Sequence, residues 1–346
     1  MIRVLLVDDS PSVRAVLRRF FSKTPDITVA GEAGDGEQAV RAVLDVQPHV
    51  VVMDIQMPNV DGYAAIERIM GLRPTPIVVL SSRATRNQMQ TAFEAMRRGA
   101  VEVLPKPEDT PTWQLLADTL PDTVRAVSQV RPRPHRERRR PKPVDPASAL
   151  SEPQALRWIA IGASTGGPAA IRDFFEAIPA EPPVSFLIVQ HIAAGFELGF
   201  VDWLNKEFPL DVRLAQDGER PRPGAVRLAP GGCHLLLEPG GVLHLDTHTP
   251  ARRGHRPSVD ELFHSCAESC PREVAGVIMT GMGADGVEGL LALRQAGGLT
   301  LAQDEASSIV FGMPRVALEK GAADVALPPK DLARTLAKVW AKGAMR

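Results

Sequence analysis

The first hundred residues alternate short, almost wholly apolar segments with longer stretches in which apolar residues recur every three or four positions. The longer stretches, such as the run containing Val13, Val16 and Leu17, predict amphipathic helices. A final helix is expected from about Thr112, with a break or kink at Pro121, because proline lacks an N–H group. Strands that are apolar throughout and joined by helices indicate a doubly wound parallel sheet covered on both faces. The expected strands are Val4–Val7, Ile27–Ala30, Val50–Met53, Ile77–Leu80 and Val101–Leu104.

A similar pattern returns near Leu156, and it predicts a second α/β domain with a parallel sheet. Its apolar strands are expected at Trp158–Ile161, Val184–Val189, Val274–Met279 and Leu299–Ala302. Three more short segments are separated by Pro-Gly-Gly turns and predict a small antiparallel meander within this domain. These segments are Val226–Leu228, Leu235–Leu237 and Val242–Leu245.

Between the two patterned regions the composition changes. The segment from Arg131 to Pro143 has seven Lys or Arg residues, one Glu and four prolines. So little of it can be buried that it predicts an extended, self-repelling linker, with a basic targeting or nucleic-acid patch as the alternative. The 346 residues therefore divide into a domain at 1–125, a linker at 126–155 and a domain at 156–346.

Composition narrows the classes of protein. The net charge of −1 excludes a strongly basic nucleic-acid binder, and no helix-turn-helix or zinc-finger pattern follows the basic segment, so no nucleic-acid partner is expected. Three cysteines without a C-x-x-C pair indicate a reducing compartment rather than a disulfide framework. No apolar run is long enough to span or insert into a membrane, and the start MIRVLLVDDS does not fit a signal peptide. A soluble cytoplasmic protein is expected.

Charged and hydroxyl side chains follow several strands of the first domain. Asp8 and Asp9 follow the first strand, Asp54 the third and Lys106 the fifth, while Ser81 ends the fourth. Because the carboxyl ends of parallel strands converge at the ligand crevice, these groups are expected in one pocket.

Three carboxylates in one pocket call for a divalent cation such as Mg²⁺. A metal, a lysine and a hydroxyl are also the groups that stabilise a transferring phosphoryl group, with Asp54 as its acceptor. The alternative is that Asp8, Asp9 and Ser10 only cap the helix that begins at Pro11.

Residues 1 to about 107 resemble a response-regulator receiver domain, which has a flavodoxin-like fold. VDDSPSVR matches the acidic pair of that family, MDIQMPNVDG its phosphoacceptor loop, the pair of serines its hydroxyl position and LPKP its lysine. Val103 stands where receivers usually carry Phe or Tyr, which argues against an aromatic rotamer switch. The resemblance implies phosphorylation at Asp54, phosphoryl binding by Ser81 and Lys106, and Mg²⁺ binding by Asp8 through water, Asp9, Asp54 and the carbonyl of Gln56.

In the second domain the first strand runs into GASTGGP, where residues 162–166 fit the pattern G-x-S-x-G. This pattern places Ser164 on a tight turn from strand to helix, as for a nucleophile. A glycine loop for a phosphate, or a turn without chemistry, are the alternatives. His191 ends another strand and is the best-placed base, whereas His234, His244, His248, His255 and His264 are less suitably placed.

Two carboxylates are candidates for orienting the histidine, Asp285 in TGMGADG and Asp304 in LAQDE. The glycines around Met282 favour Asp285, because they let the backbone approach a reacting centre closely. The order Ser, His, Asp differs from that of α/β-hydrolases and of both protease families with such a triad.

Residues from about 156 to 340 resemble the catalytic domain of the chemotaxis protein-glutamate methylesterases. The resemblance rests on IGASTGGP, VQHIAAGF, APGGCHLLL, RPSVDELF, TGMGADG and AQDEASSIVFGMP. Glu197 and the pair Ala193-Ala194 depart from the threonine and proline common in that family. The resemblance implies Ser164 as nucleophile, His191 as base and acid, Asp285 as the group that orients it, backbone N–H groups of Met282 and Thr165 as oxyanion hole, and no catalytic metal.

Together the two resemblances imply hydrolysis of glutamate methyl esters, extending to deamidation of glutamines, on methyl-accepting chemotaxis receptors. They also imply that the unphosphorylated receiver covers the catalytic cleft, and that a chemotaxis histidine kinase supplies the phosphoryl group that relieves this. A response regulator whose second domain is only a receptor-binding adaptor is the main alternative, and a transcriptional output is a more distant one.

Overall fold

The computed structural model describes residues 1–57, 61–81, 86–130, 155–193 and 195–343, with the backbone alone at 86–91 and 341–343. The chain divides into two compact units, Met1–Pro141 and Lys142–Arg346. Residues 131–154, most of the predicted linker, lie outside the described residues, as do Ala194 and residues 58–60 of the predicted phosphoacceptor loop. The boundaries 1–125, 126–155 and 156–346 therefore stay a prediction.

Strands and helices alternate through the first unit, as predicted. All neighbouring strands are parallel, in the order β2-β1-β3-β4-β5. The apolar segments in β1, β3 and β4 are buried throughout, as expected for a sheet covered on both faces. The elements are β1 (Ile2–Val7), α1 (Pro11–Ser22), β2 (Ile27–Ala33), α2 (Gly36–Val46), β3 (Val50–Asp54), α3 (Gly62–Leu72), β4 (Ile77–Ser81), α4 (Arg86–Arg97), β5 (Glu102–Pro105) and α5 (Thr110–Ser128).

Of the break or kink predicted at Pro121, the break is wrong, because α5 continues through this residue. Proline removes one backbone hydrogen bond, but Leu116, Leu120 and Val124 are buried on the same helix. Burial of this apolar face offsets the lost bond.

The second unit has a seven-stranded sheet in the order β14-β13-β12-β6-β7-β9-β8, in which all neighbours are parallel. A separate pair, β10 and β11, is antiparallel. The elements are β6 (Trp158–Ala163), α6 (Gly167–Phe175), β7 (Ser185–Gln190), α7 (Glu197–Glu207), β8 (Asp211–Leu214), β9 (Ala225–Leu228), β10 (His234–Glu238), β11 (Val242–Asp246), α8 (Val259–Ser269), a 3₁₀ turn (Pro271–Glu273), β12 (Val274–Ile278), α9 (Val287–Gln295), β13 (Leu299–Gln303), α10 (Met313–Glu319), β14 (Val325–Leu327) and α11 (Pro329–Gly343).

One strand of the predicted meander belongs elsewhere. The segment Val226–Leu228 lies in β9 and pairs in parallel with β7 and β8, so the antiparallel part has two strands. All four residues of β9 are buried, which is typical of a strand inside a parallel sheet. The Pro-Gly-Gly segment that follows β9 leads out of the sheet to β10 instead of closing a hairpin. The predicted fold class is otherwise confirmed.

The topology of each sheet determines where its site is built. In the first unit β1 is flanked by β2 and β3, and in the second unit β6 is flanked by β12 and β7. In each sheet, successive strands are added first on one side of this strand and later on its other side. This reversal in strand order at β1 and at β6 leaves a crevice at the carboxyl ends of the strands there. Within the described residues, no helix is both long and apolar enough to cross a lipid bilayer.

Candidate active site

Ser164 lies on the tight turn between β6 and α6. Its N–H group donates to the carbonyl of Thr280 at 3.0 Å, and its own carbonyl accepts from the N–H of Gly167 at 2.8 Å. Gly166 has a φ of 76°, a left-handed conformation that favours glycine. The predicted strand-to-helix turn is therefore present, with Ser164 half-buried at the carboxyl end of the sheet.

The segment that follows β12 passes directly against Ser164. A Cβ atom on Gly281 would lie 2.7 Å from the Cβ of Ser164 and 3.1 Å from its backbone nitrogen, so only glycine allows this approach. The next residue is Met282, one of the two predicted oxyanion donors. In the described part of the chain, the N–H groups of Met282 and Thr165 donate to no other group, which leaves both available to a ligand.

His191 directly follows β7 and meets Asp285 of the loop between β12 and α9. The Nε2 atom of His191 lies 2.8 Å from Oδ2 of Asp285, and their side chains are 10% and 2% exposed. The backbone of His191 is fixed by its N–H, which donates to the carbonyl of Ala163 at 2.9 Å. Nδ1 of His191 is buried and has no hydrogen-bond partner among the described residues. With Nε2 on the carboxylate, Nδ1 is the ring nitrogen left to exchange a proton with a substrate or nucleophile.

The second carboxylate candidate, Asp304, has a local role. Its side chain accepts hydrogen bonds from the N–H and the hydroxyl of Ser307 within the loop after β13. Of the two acids that the sequence left open, the structure therefore brings Asp285 to His191.

The carboxylate of Asp285 also caps α8. Its oxygens accept from the hydroxyl of Ser258 at 2.7 Å and from the N–H groups of Val259 and Asp260 at 2.8 and 3.2 Å. A carboxylate at a helix N-terminus is stabilised by the free N–H groups and by the helix dipole. Burial alone would raise the pKa of Asp285, but the hydrogen bond and charge of His191, with Ser258 and Val259 N–H, lower it to about 2.

Two positions in this site were missed from the sequence. Ser258 precedes a helical pattern, which is a signal for a helix cap, but its hydroxyl donates to Asp285 instead of capping α8. Gln190 is buried, and its amide donates to the carbonyls of Ser164 and His191 at 2.8 and 2.9 Å. It therefore joins the nucleophile turn to the histidine turn, a link that no sequence pattern indicates.

Glu197, a departure noted in the sequence, is buried at the start of α7. Its carboxylate accepts from the N–H of Gly195 at 2.6 Å and closes the turn after His191. A Cβ on Gly231 would lie 2.5 Å from its Oε1. The glutamate therefore packs against Gly231 and holds the backbone of Gly195. The other departure includes Ala194, which lies outside the described residues.

The acidic cluster of the first unit is assembled as predicted around Lys106. Its Nζ contacts Oδ2 of Asp54 and lies 2.7 Å from Oδ2 of Asp8. Burial raises the pKa of Asp54, and Lys106 offsets this only in part. Burial would lower the pKa of Lys106, but its hydrogen bonds to Asp54 and Asp8 raise it.

The same cluster offers ligands for a divalent cation. Asp8, Asp9 and Asp54 each place an oxygen so that all three lie within 4.8 Å of one another. Asp8 and Asp54 are buried and Asp9 is exposed, so the site is open to solvent on one side. This set of oxygen donors fits Mg²⁺, which binds to few carboxylates and keeps several waters.

The remaining predicted residues lie around this cluster. Ser81 is buried at the end of β4, and its carbonyl accepts from the N–H of Lys106 at 2.7 Å. The N–H of Gln56 donates to Oδ1 of Asp54 at 3.0 Å. Val103 is buried in β5. The two units therefore each hold a cluster of polar groups at the reversal point of a parallel sheet.

Family models of known proteins match the two units separately. The family model for the CheB methylesterase matches residues 159–336, and that for the response regulator receiver domain matches residues 4–116. A protein of Geobacter metallireducens named protein-glutamate methylesterase/protein-glutamine glutaminase 4 is 40% identical over 341 residues, which are 97% of this chain and 98% of that relative. A protein-glutamate methylesterase/protein-glutamine glutaminase of Symbiobacterium thermophilum is 38% identical over 99% of this chain and 98% of the relative. The crystal structure of the CheB methylesterase catalytic domain of Thermotoga maritima is 34% identical, with a TM-score of 0.51, and covers 53% of this chain and 98% of that chain.

Proposed function

The chain belongs to the CheB methylesterase family and carries a receiver domain, and we propose that it hydrolyses glutamate methyl esters on methyl-accepting chemotaxis receptors under the control of phosphorylation at Asp54. The observation that supports the proposal is the His191–Asp285 pair, together with Gln190, whose amide donates to the backbone carbonyls of both Ser164 and His191. Deamidation of selected receptor glutamines belongs to the same proposal, since the relatives are named for both activities.

The first half of the reaction forms an acyl-enzyme. The hydroxyl oxygen of Ser164 attacks the γ-carbonyl carbon of the ester while Nδ1 of His191 takes its proton, because Nε2 is held by Asp285. The negative oxygen of the tetrahedral intermediate accepts from the N–H groups of Thr165 and Met282. His191 then returns the proton to the methoxy group, the C–O bond breaks and methanol leaves.

The second half uses water in the place of the serine. His191 takes a proton from water as the oxygen attacks the acyl carbon, and it protonates Ser164 as the bond to the enzyme breaks. The product is a free glutamate side chain. With a glutamine substrate the group released in the first half is ammonia, and the second half is unchanged.

Control by the receiver rests on the cluster around Asp54. An oxygen of Asp54 accepts the phosphoryl group from a chemotaxis histidine kinase, and Lys106 and Ser81 hold the phosphoryl oxygens. Asp8, Asp9, Asp54 and the carbonyl of Gln56 would hold Mg²⁺, which supplies charge neutralisation there when bound. Phosphorylation biases a two-state equilibrium toward the active form of the enzyme.

Replacement of the nucleophile tests the proposal. Ser164→Ala should abolish methanol release from methylated receptor while circular dichroism and thermal unfolding stay as in the wild type. The matched control is Ser22→Ala, which removes an exposed hydroxyl from α1 and should keep full activity. Methanol release by a folded Ser164→Ala protein would overturn the assignment and would favour a different nucleophile.

A further inference from the structure

A second histidine ring lies flat against the proposed general base. The rings of His191 and His255 are stacked, with their centroids 3.8 Å apart and their planes 3° from parallel. His191 follows β7, whereas His255 belongs to the loop between β11 and α8. The contact therefore joins two parts of the domain that are far apart in sequence, at the residue that transfers the proton.

The backbone holds His255 firmly in this position. Arg252 and His255 exchange two hydrogen bonds, from N–H of Arg252 at 3.0 Å and from N–H of His255 at 2.9 Å. Between them Arg253 and Gly254 have φ values of 50° and 85°, which is the pattern of a tight type I′ turn. Arg252 also pairs with Glu261 of α8 at 2.8 Å, so the turn is tied to a helix.

The stacked ring restricts a rotation of the His191 ring that the hydrogen bond to Asp285 leaves free. One hydrogen bond to Nε2 fixes the distance of the His191 ring from the carboxylate, but it does not by itself fix the plane of the ring. A parallel ring at 3.8 Å fixes that plane and keeps water from one of its faces. Both effects keep Nδ1 directed at a single position.

Resting on the proposed role of His191, we propose that His255 is a positioning residue, which holds the imidazole of His191 in its working plane through its stacked ring. Its own ring takes no part in proton transfer. In the described part of the chain, no hydrogen bond of the His255 ring is found, which fits a role through its flat face.

The charges around His255 are consistent with a neutral ring. His191 and Asp285 act on it from the ends of β7 and β12, while Arg252, Arg253 and Arg256 lie on its own loop. Burial first, and then the charge of His191, lower the pKa of His255, and Asp285 opposes them. A neutral neighbour is what the reaction requires, because His191 becomes positively charged in each tetrahedral intermediate and a second cation 3.8 Å away would repel it.

Three substitutions at His255 test whether its flat ring or only its volume matters for catalysis. His255→Phe keeps a flat ring and cannot titrate, so kcat should stay within about threefold of the wild type. His255→Leu fills much of the volume without a plane, and His255→Ala leaves it open, so both should lower kcat by about 10–100-fold with KM changed less than about twofold. A loss in His255→Phe as large as in His255→Leu, or wild-type kcat in a folded His255→Leu protein, would overturn the proposal.

A measurement that does not depend on turnover separates this proposal from the proposed function. In a Ser164→Ala background, the low-field proton resonance of the bond between His191 Nε2 and Asp285 should persist with His255 or Phe at this position and be broadened by exchange with water in His255→Leu. Equal resonances in all three proteins would contradict the positioning role. If the resonances differ as expected but Ser164→Ala still releases methanol, the proposed nucleophile fails and the stacking role stands.

Discussion

Asp54 in the first unit and Asp285 in the second occupy the same kind of place. Each is a buried carboxylate at the carboxyl side of a parallel sheet: Asp54 is the last residue of β3, and Asp285 lies in the loop after β12. Their surroundings differ in hydrogen bonding. Asp285 accepts from a hydroxyl, two backbone N–H groups and His191, whereas Asp54 accepts from Lys106 and the N–H of Gln56 beside a second carboxylate, Asp8.

The difference appears in the proton affinity of the two groups. The pKa of Asp54 is raised by burial, whereas the pKa of Asp285 is lowered to about 2 because its hydrogen bonds outweigh burial. A fully satisfied carboxylate is a fixed charge suited to orienting a base. Asp54 accepts fewer hydrogen bonds from the described residues, so its oxygens retain capacity for new partners, such as a metal and a phosphoryl group. The same topology thus provides a rigid site around Asp285 and a receptive site around Asp54.

The largest expected effect comes from neutralising the rigid carboxylate. Asp285→Asn should lower kcat for methanol release by about 10³–10⁴-fold, because an amide does not hold His191 in the proton-accepting tautomer. Asp54→Asn, the matched change in the other unit, should leave activity without a phosphodonor within about twofold of the wild type, since Asp54 has no part in the chemical step. Steady-state kinetics on methylated receptor checks both.

Equal losses in the two variants would contradict this contrast, because they would place Asp54 in the machinery for hydrolysis. Circular dichroism on each variant identifies a loss that arises from unfolding instead of chemistry.

The second prediction concerns the receptive site. A small phosphodonor with Mg²⁺ should raise the rate of methanol release by about tenfold in the wild type, the size of an ordinary coupling between two sites. Asp54→Asn should abolish this rise, and Lys106→Met should reduce it, because Lys106 contacts Asp54 and in the proposed mechanism holds a phosphoryl oxygen. Removal of Mg²⁺ with a chelator should abolish the rise without changing the basal rate.

A rise that persists in Asp54→Asn would show that the phosphodonor acts elsewhere. A fall in the basal rate on chelation would contradict a hydrolysis mechanism that needs no metal.

Much of the fold follows from apolar patterns that the sequence displays directly. The strands at Val4–Val7, Val50–Met53 and Trp158–Ile161 are apolar throughout and were predicted with nearly the observed bounds. The segment Val226–Leu228 was assigned to the wrong sheet because its Pro-Gly-Gly neighbour is typical of a hairpin. Its true partner β7 comes earlier in the chain, separated from it by α7 and β8, and parallel pairing at that distance leaves no local signal.

For the site, the sequence pointed to the groups near strand ends but not to the contacts that hold them. Asp285 and Asp304 both lie beyond strands, and the glycines around Met282 favoured Asp285. The packing of α8 onto the loop after β12 brings Asp285 to the helix cap, whereas Asp304 bonds within its own loop. The contacts of Ser258, Gln190 and His255 were missed, because each joins residues whose proximity depends on the folded sheet. A histidine in a loop has no sequence feature that marks it as stacked.

The third prediction concerns the loss of one hydrogen bond to Asp285 in the rigid site. Ser258→Ala removes the hydroxyl that donates to Oδ1 of Asp285 at 2.7 Å. Loss of a hydrogen bond to a charged group should lower the free energy of unfolding of this domain by about 1.5–3 kcal/mol. The rate of methanol release should fall by roughly tenfold, less than in Asp285→Asn, because the N–H groups of Val259 and Asp260 remain.

Ser258→Thr, which keeps a hydroxyl, is the matched control and should recover much of both losses. Wild-type stability and rate in Ser258→Ala would show that the backbone N–H groups alone hold the carboxylate.

The smallest effect is the dependence of stability on pH, and it should have opposite signs in the two units. The pKa of Asp285 is about 2 in the folded protein and its ordinary value is 3.8, so the folded state binds this proton less tightly. Its contribution to stability is therefore present above about pH 4 and is lost as the pH falls toward 2. The pKa of Asp54 lies above 3.8, so its ionisation weakens the first unit as the pH rises from about 4 through the folded value.

Urea unfolding between pH 3 and 7, followed by tryptophan fluorescence, can test these signs in one protein. Trp113 is the tryptophan of the first unit, and the second unit contains Trp158, Trp203 and Trp340. Relative to Asp285→Asn, the second unit of the wild type should gain stability as the pH rises. Relative to Asp54→Asn, the first unit should lose it, since asparagine carries no charge to bury. Parallel changes in both units would mean that Asp54 is held as completely as Asp285, and the distinction between a rigid and a receptive carboxylate would fail.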